Sequence, residues 1–346
     1  MLEHWIQPQK SPAFHEEYLG DDRIGRNLSI MSDHHTPSGN REVALIGADT
    51  RWAKLVRHHL YQYTHRMPDI RIYDLGDLRR QDPDFVIGPL IELLSSQICP
   101  LLIGTNLGVM NAVRQGLMQM RNTFRPVVIH ESIPESLITH DKPLVIGVQQ
   151  HLIPKHIPRH VHAMHLSDAR NAMSEAETMI RDSNGLVFDL TAMSVVDMPA
   201  QKSSSSSGFC TEEACMLMRF AGLHADTRAV MITGHDPMSL QLDTSANTTA
   251  QLIWYFLEAF NQCIVEDPLG SPHYTSYSVH LEQYDTGFKF YKSERTGRWW
   301  VQLLSGIREP VFPCTYRDYQ SATNGLVSDR LISCTNASLE SSKQTF

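Results

Sequence analysis

Between Glu42 and Cys263 the chain repeats one pattern: short unbroken apolar runs, ended by glycine or a polar cluster, with longer amphipathic stretches between them. The runs occupy 43–47, 70–75, 100–104, 126–130, 143–148, 185–190 and 228–233. A strand with one face in water alternates apolar and polar residues, whereas a strand covered on both faces reads as a continuous run. The stretches between, 52–63, 84–97, 109–121, 169–181, 211–222 and 248–263, carry apolar residues at helical spacing, with Thr211 placed to cap its helix. This alternation predicts a three-layer α/β/α domain around a mostly parallel sheet. Of the residues, 42% are hydrophobic, enough to fill the core such a domain needs. In open parallel sheets ligands gather at the carboxyl ends of the strands. The residues to weigh for function are therefore Gly47-Ala48-Asp49, Asp74, Gly104-Thr105-Asn106, His130-Glu131, Gln149-Gln150, Asp189-Leu190-Thr191 and Thr233-Gly234-His235-Asp236.

The pattern sets the domain at 42–268, and the flanks differ from it. Residues 1–41 are polar and broken by Pro8, Pro12, Gly20, Gly25, Pro37 and Gly39, and read as an N-terminal extension packed on the domain or on a partner. Its His34-His35 pair reads as incidental rather than metal-binding. After Pro268 the residues alternate over 277–281, 287–292 and 298–303, with Glu294-Arg295-Thr296-Gly297 as a turn. That predicts a small antiparallel meander, followed by a short helix from Tyr316 that Thr315 caps with Asp318 three residues on. The appendage spans 273–334, and 335–346 reads as a frayed tail. Half of the aromatics among Phe288, Phe290, Tyr291, Trp299 and Trp300 are expected to cover a core. The rest, with Lys289, Lys292, Arg295 and Arg298, leave 277–303 as a candidate surface for an unknown protein partner.

Several function classes are excluded or demoted. With 30 basic against 38 acidic residues the net charge is −8, which gives no electrostatic case for nucleic acid. The longest apolar run, 252–257, is too short to span a membrane. The start of the chain shows no basic segment followed by an apolar one, as a secretory signal would. Six cysteines without a CxxC pair read as free thiols in a reducing compartment, so a cytoplasmic location is expected. Ile103-Gly104-Thr105-Asn106-Leu107-Gly108 lacks the third glycine of a dinucleotide fingerprint, and no Walker A segment occurs. The histidines at 151, 156, 160, 162 and 165 are interrupted by Pro154 and Pro158, with no interleaved carboxylate, and read as a loop rather than a metal site. The serine run 203–207 reads either as a flexible linker or as an ordered loop ahead of the 211–222 helix.

Taken in order, the strand ends resemble those of the arginase/agmatinase/formimidoylglutamase (ureohydrolase) family, over roughly Arg41 to Cys263. Val43-Ala44-Leu45-Ile46-Gly47 is similar to the first strand, and Ile72-Tyr73-Asp74-Leu75-Gly76-Asp77 to the second, with its DLGD end. Ile103-Gly104-Thr105-Asn106 sits where the family has GGDHS, and His130-Glu131-Ser132-Ile133-Pro134 where it has Asp-x-His-x-Asp. Phe188-Asp189-Leu190-Thr191, followed by Pro199-Ala200, resembles the SFDxD segment and its loop, which favours the ordered loop at the serine run. Phe209-Cys210-Thr211-Glu212-Glu213-Ala214 resembles the entry to the next helix, and Thr233-Gly234-His235-Asp236-Pro237 with Thr249-Ala250 resembles E-x-N-P … T-A.

The resemblance implies a binuclear manganese site, held by histidine and several aspartates, that makes hydroxide for attack on a guanidinium or formimino carbon. The positions that would hold it are substituted. Asn106 stands for the GGDHS histidine, His130 for the first aspartate of its motif, Ser132 for the histidine and Pro134 for the second aspartate. Asp189 alone survives of SFDxD, with Thr191 for its partner, and Gly234 stands where a substrate-gripping glutamate is expected. One carboxylate does not hold two dications, so no metal cofactor and no catalytic residue are expected. The expectation is a non-catalytic relative acting as a binding or scaffolding protein. Against it stands a remodelled Mn2+ or Zn2+ site on His130, Asp189 and Asp236, in a divergent metal-dependent hydrolase of amidine or guanidine C–N bonds. The resemblance also implies self-association, since relatives form trimers or hexamers.

Overall fold

The structure is a computed structural model that describes residues 2–8, 20–29, 41–119, 125–138, 143–153, 155, 160–281, 286–304, 310–328 and 330–332. His34-His35, Pro154, His156, Pro158, Cys334 and the 335–346 tail lie outside these residues. The chain forms two compact units, Met1–Ile264 and Val265–Phe346.

The first unit is built on a nine-stranded sheet, in the order β1-β3-β2-β4-β9-β8-β5-β6-β7. Its strands are β1 Ile6–Gln7, β2 Arg41–Gly47, β3 Ile70–Leu78, β4 Ile98–Thr105, β5 Pro126–Ile129, β6 Leu144–Val148, β7 His162–His165, β8 Gly185–Asp189 and β9 Val230–Thr233. All pairings are parallel except that of β1 with β3. Successive side chains of a strand point to opposite faces, and here both faces are apolar. Leu45, Leu101, Ile103 and Ile129 enter one buried cluster, and Ile46, Leu102 and Val128 the other. Helices α1 Thr50–Gln62, α7 Thr211–Gly222 and α8 Leu242–Asn261 close the first face with Trp52, Leu60, Leu217 and Phe256. Helices α2 Pro83–Ser95 and α3 Leu107–Gln119 close the second with Val86, Leu93, Val109 and Val113. The architecture is thus the expected three-layer α/β/α sandwich. The described parts of the N-terminal extension belong to it: Ile6 sits in β1, and Ile24 is fully buried in the first cluster.

Three local expectations need correction. Cys210, not Thr211, caps α7. Thr211 is the first helical residue, and both its N–H (3.1 Å) and its hydroxyl (2.8 Å) donate to Asp197 Oδ1, while Glu213 takes the Cys210 N–H at 2.9 Å. Part of the histidine-dense segment is not loop but the edge strand β7, whose polar composition hides it from a search for apolar runs. Helix α8 begins at Leu242 rather than at 248. The remaining short helices are α4 Glu135–Ile138, α5 Leu166–Asn171 and α6 Met173–Arg181. The five cysteines among the described residues, 99, 210, 215, 263 and 314, are free thiols.

The second unit is an antiparallel sheet of four strands, β10 Tyr274–Leu281, β11 Thr286–Ser293, β12 Trp299–Leu303 and β13 Val311–Cys314, in sequential order. Helix α9 Tyr316–Thr323 follows. Its cap is the expected reciprocal one: Asp318 N–H donates to Thr315 Oγ1 at 3.2 Å, and Thr315 N–H donates to Asp318 Oδ2 at 2.8 Å. Phe288, Phe290 and Trp299 enter the core cluster of one face, as alternation requires, while Tyr291 and Trp300, opposite each other in the β11–β12 register, are buried on the other face. Among the described residues no helix is long and apolar enough to cross a membrane.

Candidate functional site

Asp189, the last residue of β8, is the centre of the strand-end cluster. Its Oδ1 accepts the Thr191 N–H at 3.0 Å and the Thr191 hydroxyl at 2.7 Å, while its Oδ2 accepts the Thr233 hydroxyl at 2.6 Å. The residue is 5% exposed, so these donors replace water rather than compete with it. Gly234 lies against the same carboxylate at φ +86°, and a Cβ there would fall 2.1 Å from Asp189 Oδ1. Glycine is required for both the backbone conformation and the close approach. No side chain at 234, a glutamate included, fits this arrangement.

His130 follows β5. The Ser132 N–H donates to its Nδ1 at 3.0 Å, and the Ser132 hydroxyl lies 3.3 Å from the same nitrogen. An amide always donates, so Nδ1 is the acceptor and the neutral ring carries its proton on Nε2. That nitrogen stands 3.9 Å from Asp189 Oδ2, too far for a hydrogen bond. The structure thus brings Ser132, His130, Asp189, Thr191 and Gly234 together. It does not bring in the others. Asn106 is exposed, and its Oδ1 accepts the Gly108 N–H at 2.9 Å at the start of α3. The Pro134 carbonyl accepts the Leu137 N–H at 2.9 Å and opens α4. Asp236 Oδ1 takes the Met238 N–H at 3.0 Å within its own turn. Among the described residues no three of His, Cys, Asp and Glu are grouped to hold a metal ion, the trio His130, Asp189 and Asp236 included.

The serine run is an ordered loop folded onto these strand ends. Ser203 Oγ donates to the buried Glu131 at 2.7 Å, and Ser205 Oγ to Gln149 Oε1 at 3.2 Å. Gln149 Nε2 returns a bond to the Ser207 carbonyl at 2.9 Å, and the Lys202 N–H reaches the Gly234 carbonyl at 3.0 Å. The acids of the DLGD segment have a structural task. Arg57 of α1 binds Asp74 at 2.7 Å, Asp77 at 2.6 Å and the Gly76 carbonyl at 2.7 Å, which fastens the helix to β3.

A second cluster was not visible as a unit in the sequence. Asp49 Oδ1 caps α1 by accepting the Trp52 N–H at 2.9 Å, and its Oδ2 lies 3.3 Å from His235 Nε2. The imidazole stacks on the Trp52 indole, with centroids 4.9 Å apart and planes 9° from parallel. Gly104, at φ +78°, makes room for both rings: a Cβ would sit 2.9 Å from Trp52 Cδ1 and 3.3 Å from His235 Cε1. Burial pushes the His235 pKa down, against the pull of the Asp49 hydrogen bond and charge. The neutral ring therefore donates its Nε2–H to Asp49 Oδ2 and keeps Nδ1 as an acceptor. Nδ1, Trp52 Nε1 and Gln201 Oε1 are buried without a hydrogen-bond partner among the described residues. The backbone of Gln201 bridges that of His235, which puts the two side chains side by side.

The sheet order and helix layers define an arginase-like α/β fold, shared with solved structures of the arginase superfamily. Trypanosoma cruzi formiminoglutamase, solved with Mn2+, matches over 70% of this chain and 99% of its own, with a TM-score of 0.59 at 13% identity. Formimidoylglutamase from Bacillus subtilis matches over 75% and 98%, with a TM-score of 0.59 at 12% identity. Proclavaminate amidino hydrolase from Streptomyces clavuligerus matches over 70% and 99%, with a TM-score of 0.52 at 15% identity. The sequence matches no family model and no curated protein; the likeness lies in the fold. The donors at these strand ends do not fit a pair of Mn2+ ions. Hard dications need several anionic oxygens, whereas Asp189 has both oxygens hydrogen-bonded and its neighbours are neutral.

Proposed function

We propose that this chain is a non-catalytic protein of the arginase fold that works by binding. The observation that carries the reading is Asp189: Thr191 and Thr233 bond both oxygens of its carboxylate, Gly234 abuts it, and no three of His, Cys, Asp and Glu are grouped around it among the described residues. The strand-end loops are instead held by the hydrogen bonds of Asp189, Glu131 and Gln149. Binding is also the use that the Trp52–His235 cluster supports, since a small polar molecule would satisfy its unpartnered atoms. A protein partner on the second unit, self-association and a cytoplasmic location belong to the same proposal.

The test is elemental analysis of protein purified without chelator and then incubated with Mn2+ or Zn2+, together with assays on arginine, agmatine and formiminoglutamate. The expected result is no stoichiometric metal and no turnover. Manganese-dependent hydrolysis that disappears in Asp189→Ala would overturn the proposal. It would establish instead the competing reading of a divergent metal-dependent C–N hydrolase, which rests on the fold shared with the Mn2+-bearing formiminoglutamase.

A further inference from the structure

Among the described residues the sheet of the second unit ends on one side in β10, which pairs with β11 alone; no described strand pairs with its other edge. Which of its groups face outward follows from the ladder. The Glu294 N–H donates to the His273 carbonyl at 3.0 Å, and His273 and Glu294 lie opposite each other in the β10–β11 register. In an antiparallel pair, hydrogen-bonded and non-hydrogen-bonded positions alternate. The odd residues 275, 277, 279 and 281 therefore bond to β11, and Tyr274, Ser276, Ser278 and His280 turn their N–H and C=O groups outward. The β11–β12 ladder agrees: the Leu304 N–H donates to the Gly287 carbonyl at 2.7 Å, so Gly287, opposite His280, faces β12.

Exposed edges are normally blunted by charge, proline or brevity. The other edges here are. In β13, Pro313 has no N–H to offer and its carbonyl accepts from Arg330 at 3.4 Å; β1 has 2 residues and β7 has 4. Strand β10 has 8 residues, Tyr-Thr-Ser-Tyr-Ser-Val-His-Leu, with no Lys, Arg, Asp, Glu, Pro or Gly, in a chain of which 20% is charged. Ser276, Ser278 and His280 are exposed.

We infer that β10 is a dimerisation edge that pairs antiparallel with β10 of a second copy, joining two four-stranded sheets into one. The occupant follows from the strand's own chemistry. A two-fold centred on Ser278 sets Ser278 against Ser278 and Ser276 against His280, so the outward N–H of each of these three meets a carbonyl and no like charges oppose. An acidic or basic partner strand would find no counter-charge on this edge. The inference concerns the second unit alone and holds whether or not the strand ends of the first unit bind metal.

Light scattering across a dilution series of the full chain reads the oligomer directly. The wild type is expected to be a dimer, and Ser278→Pro a monomer. Proline at 278 removes only an outward N–H and leaves the bonds to β11 intact. Ser278→Lys, which opposes two cations at the two-fold, is expected to lose the dimer too, with unchanged circular dichroism. Hydrogen exchange adds a residue-level readout: the amides of Ser276, Ser278 and His280 are protected only in the dimer, those of Tyr277 and Val279 in both forms. A monomeric wild type, or a dimer that survives both substitutions, would overturn the inference.

Discussion

Both oxygens of the Asp189 carboxylate have hydrogen-bond partners, whereas around His235, at the carboxyl end of the adjacent strand, several polar atoms have none. The Asp189 carboxylate draws together Thr191 just beyond β8 and Thr233 of β9 through three hydrogen bonds. The stack of Trp52 on His235 leaves an indole N–H and an imidazole nitrogen unmet, with the Gln201 carbonyl oxygen beside them. An unmet buried polar group costs about 1–3 kcal/mol, so the first network stabilises the strand ends and the second lowers the stability they would otherwise have. Two adjacent networks in one sheet can therefore serve different ends. A closed one holds loops in place, and an open one keeps hydrogen-bonding capacity for something not part of the chain.

The glycines beside the two networks give the largest effect. Gly234 and Gly104 both lie at positive φ, +86° and +78°. A Cβ at 234 would meet a carboxylate oxygen at 2.1 Å, whereas one at 104 would meet ring carbons at 2.9 and 3.3 Å. Strain at positive φ costs about 1–3 kcal/mol, and at 234 the loss of the Asp189 bonds adds to it. Gly234→Ala is expected to lower unfolding free energy by about 3 kcal/mol or more, and Gly104→Ala by clearly less. Denaturant midpoints at constant m-value measure both. Equal losses would mean that the Asp189 network is no tighter than the open one.

A second pair of substitutions separates a hydroxyl with a partner from one without. Thr105 and Thr233 are neighbours in the β4–β9 register, and both are buried. The Thr233 hydroxyl bonds to Asp189 Oδ2 at 2.6 Å, while Thr105 Oγ1 has no partner among the described residues. Thr233→Val is expected to cost about 1–3 kcal/mol, because it also leaves a carboxylate oxygen unpaired. Thr105→Val should fall within about 0.5 kcal/mol of wild type or stabilise it. A large loss in Thr105→Val would reveal a bound water or ligand on that hydroxyl.

How much of this was legible depends on the range of the interaction. The strands at 43–47, 100–104 and 185–190 could be read because burial on both faces is a local property of a run. The strand-end rule then put Asp189, Thr233, Gly234 and His235 among the residues to weigh before any fold was known. Pairing was not legible. Nothing in the spacing joins Asp49 to His235, 186 residues apart, or Arg57 to Asp74 across the α1–β3 contact. The edge strand β7 was hidden by its histidines, and the cap of α7 was misplaced by one residue because Asp197, a distant partner, takes the Thr211 hydroxyl.

The smallest expected effect is a pH dependence set by the open network. Burial depresses the His235 pKa in the folded chain, and Asp49 offsets part of that. The unfolded chain therefore binds a proton at 235 at a pH where the folded chain does not, and stability rises with pH through that interval. Above the ordinary histidine pKa of about 6.5 the contribution is fully present; as pH falls through the depressed folded value it is lost. His58 and His65 are shifted in the same direction by burial, so the wild-type profile sums all three. Subtracting the profile of His235→Gln isolates one. The expected difference is a wild-type curve that falls more steeply than the variant's below neutrality. Parallel curves would mean that the Asp49 carboxylate fully offsets burial, leaving His235 as ready to take a proton as a histidine in water. In that case the ring would be charged at mildly acidic pH, Nδ1 would become a donor, and the cluster would suit an anion rather than a neutral polar ligand.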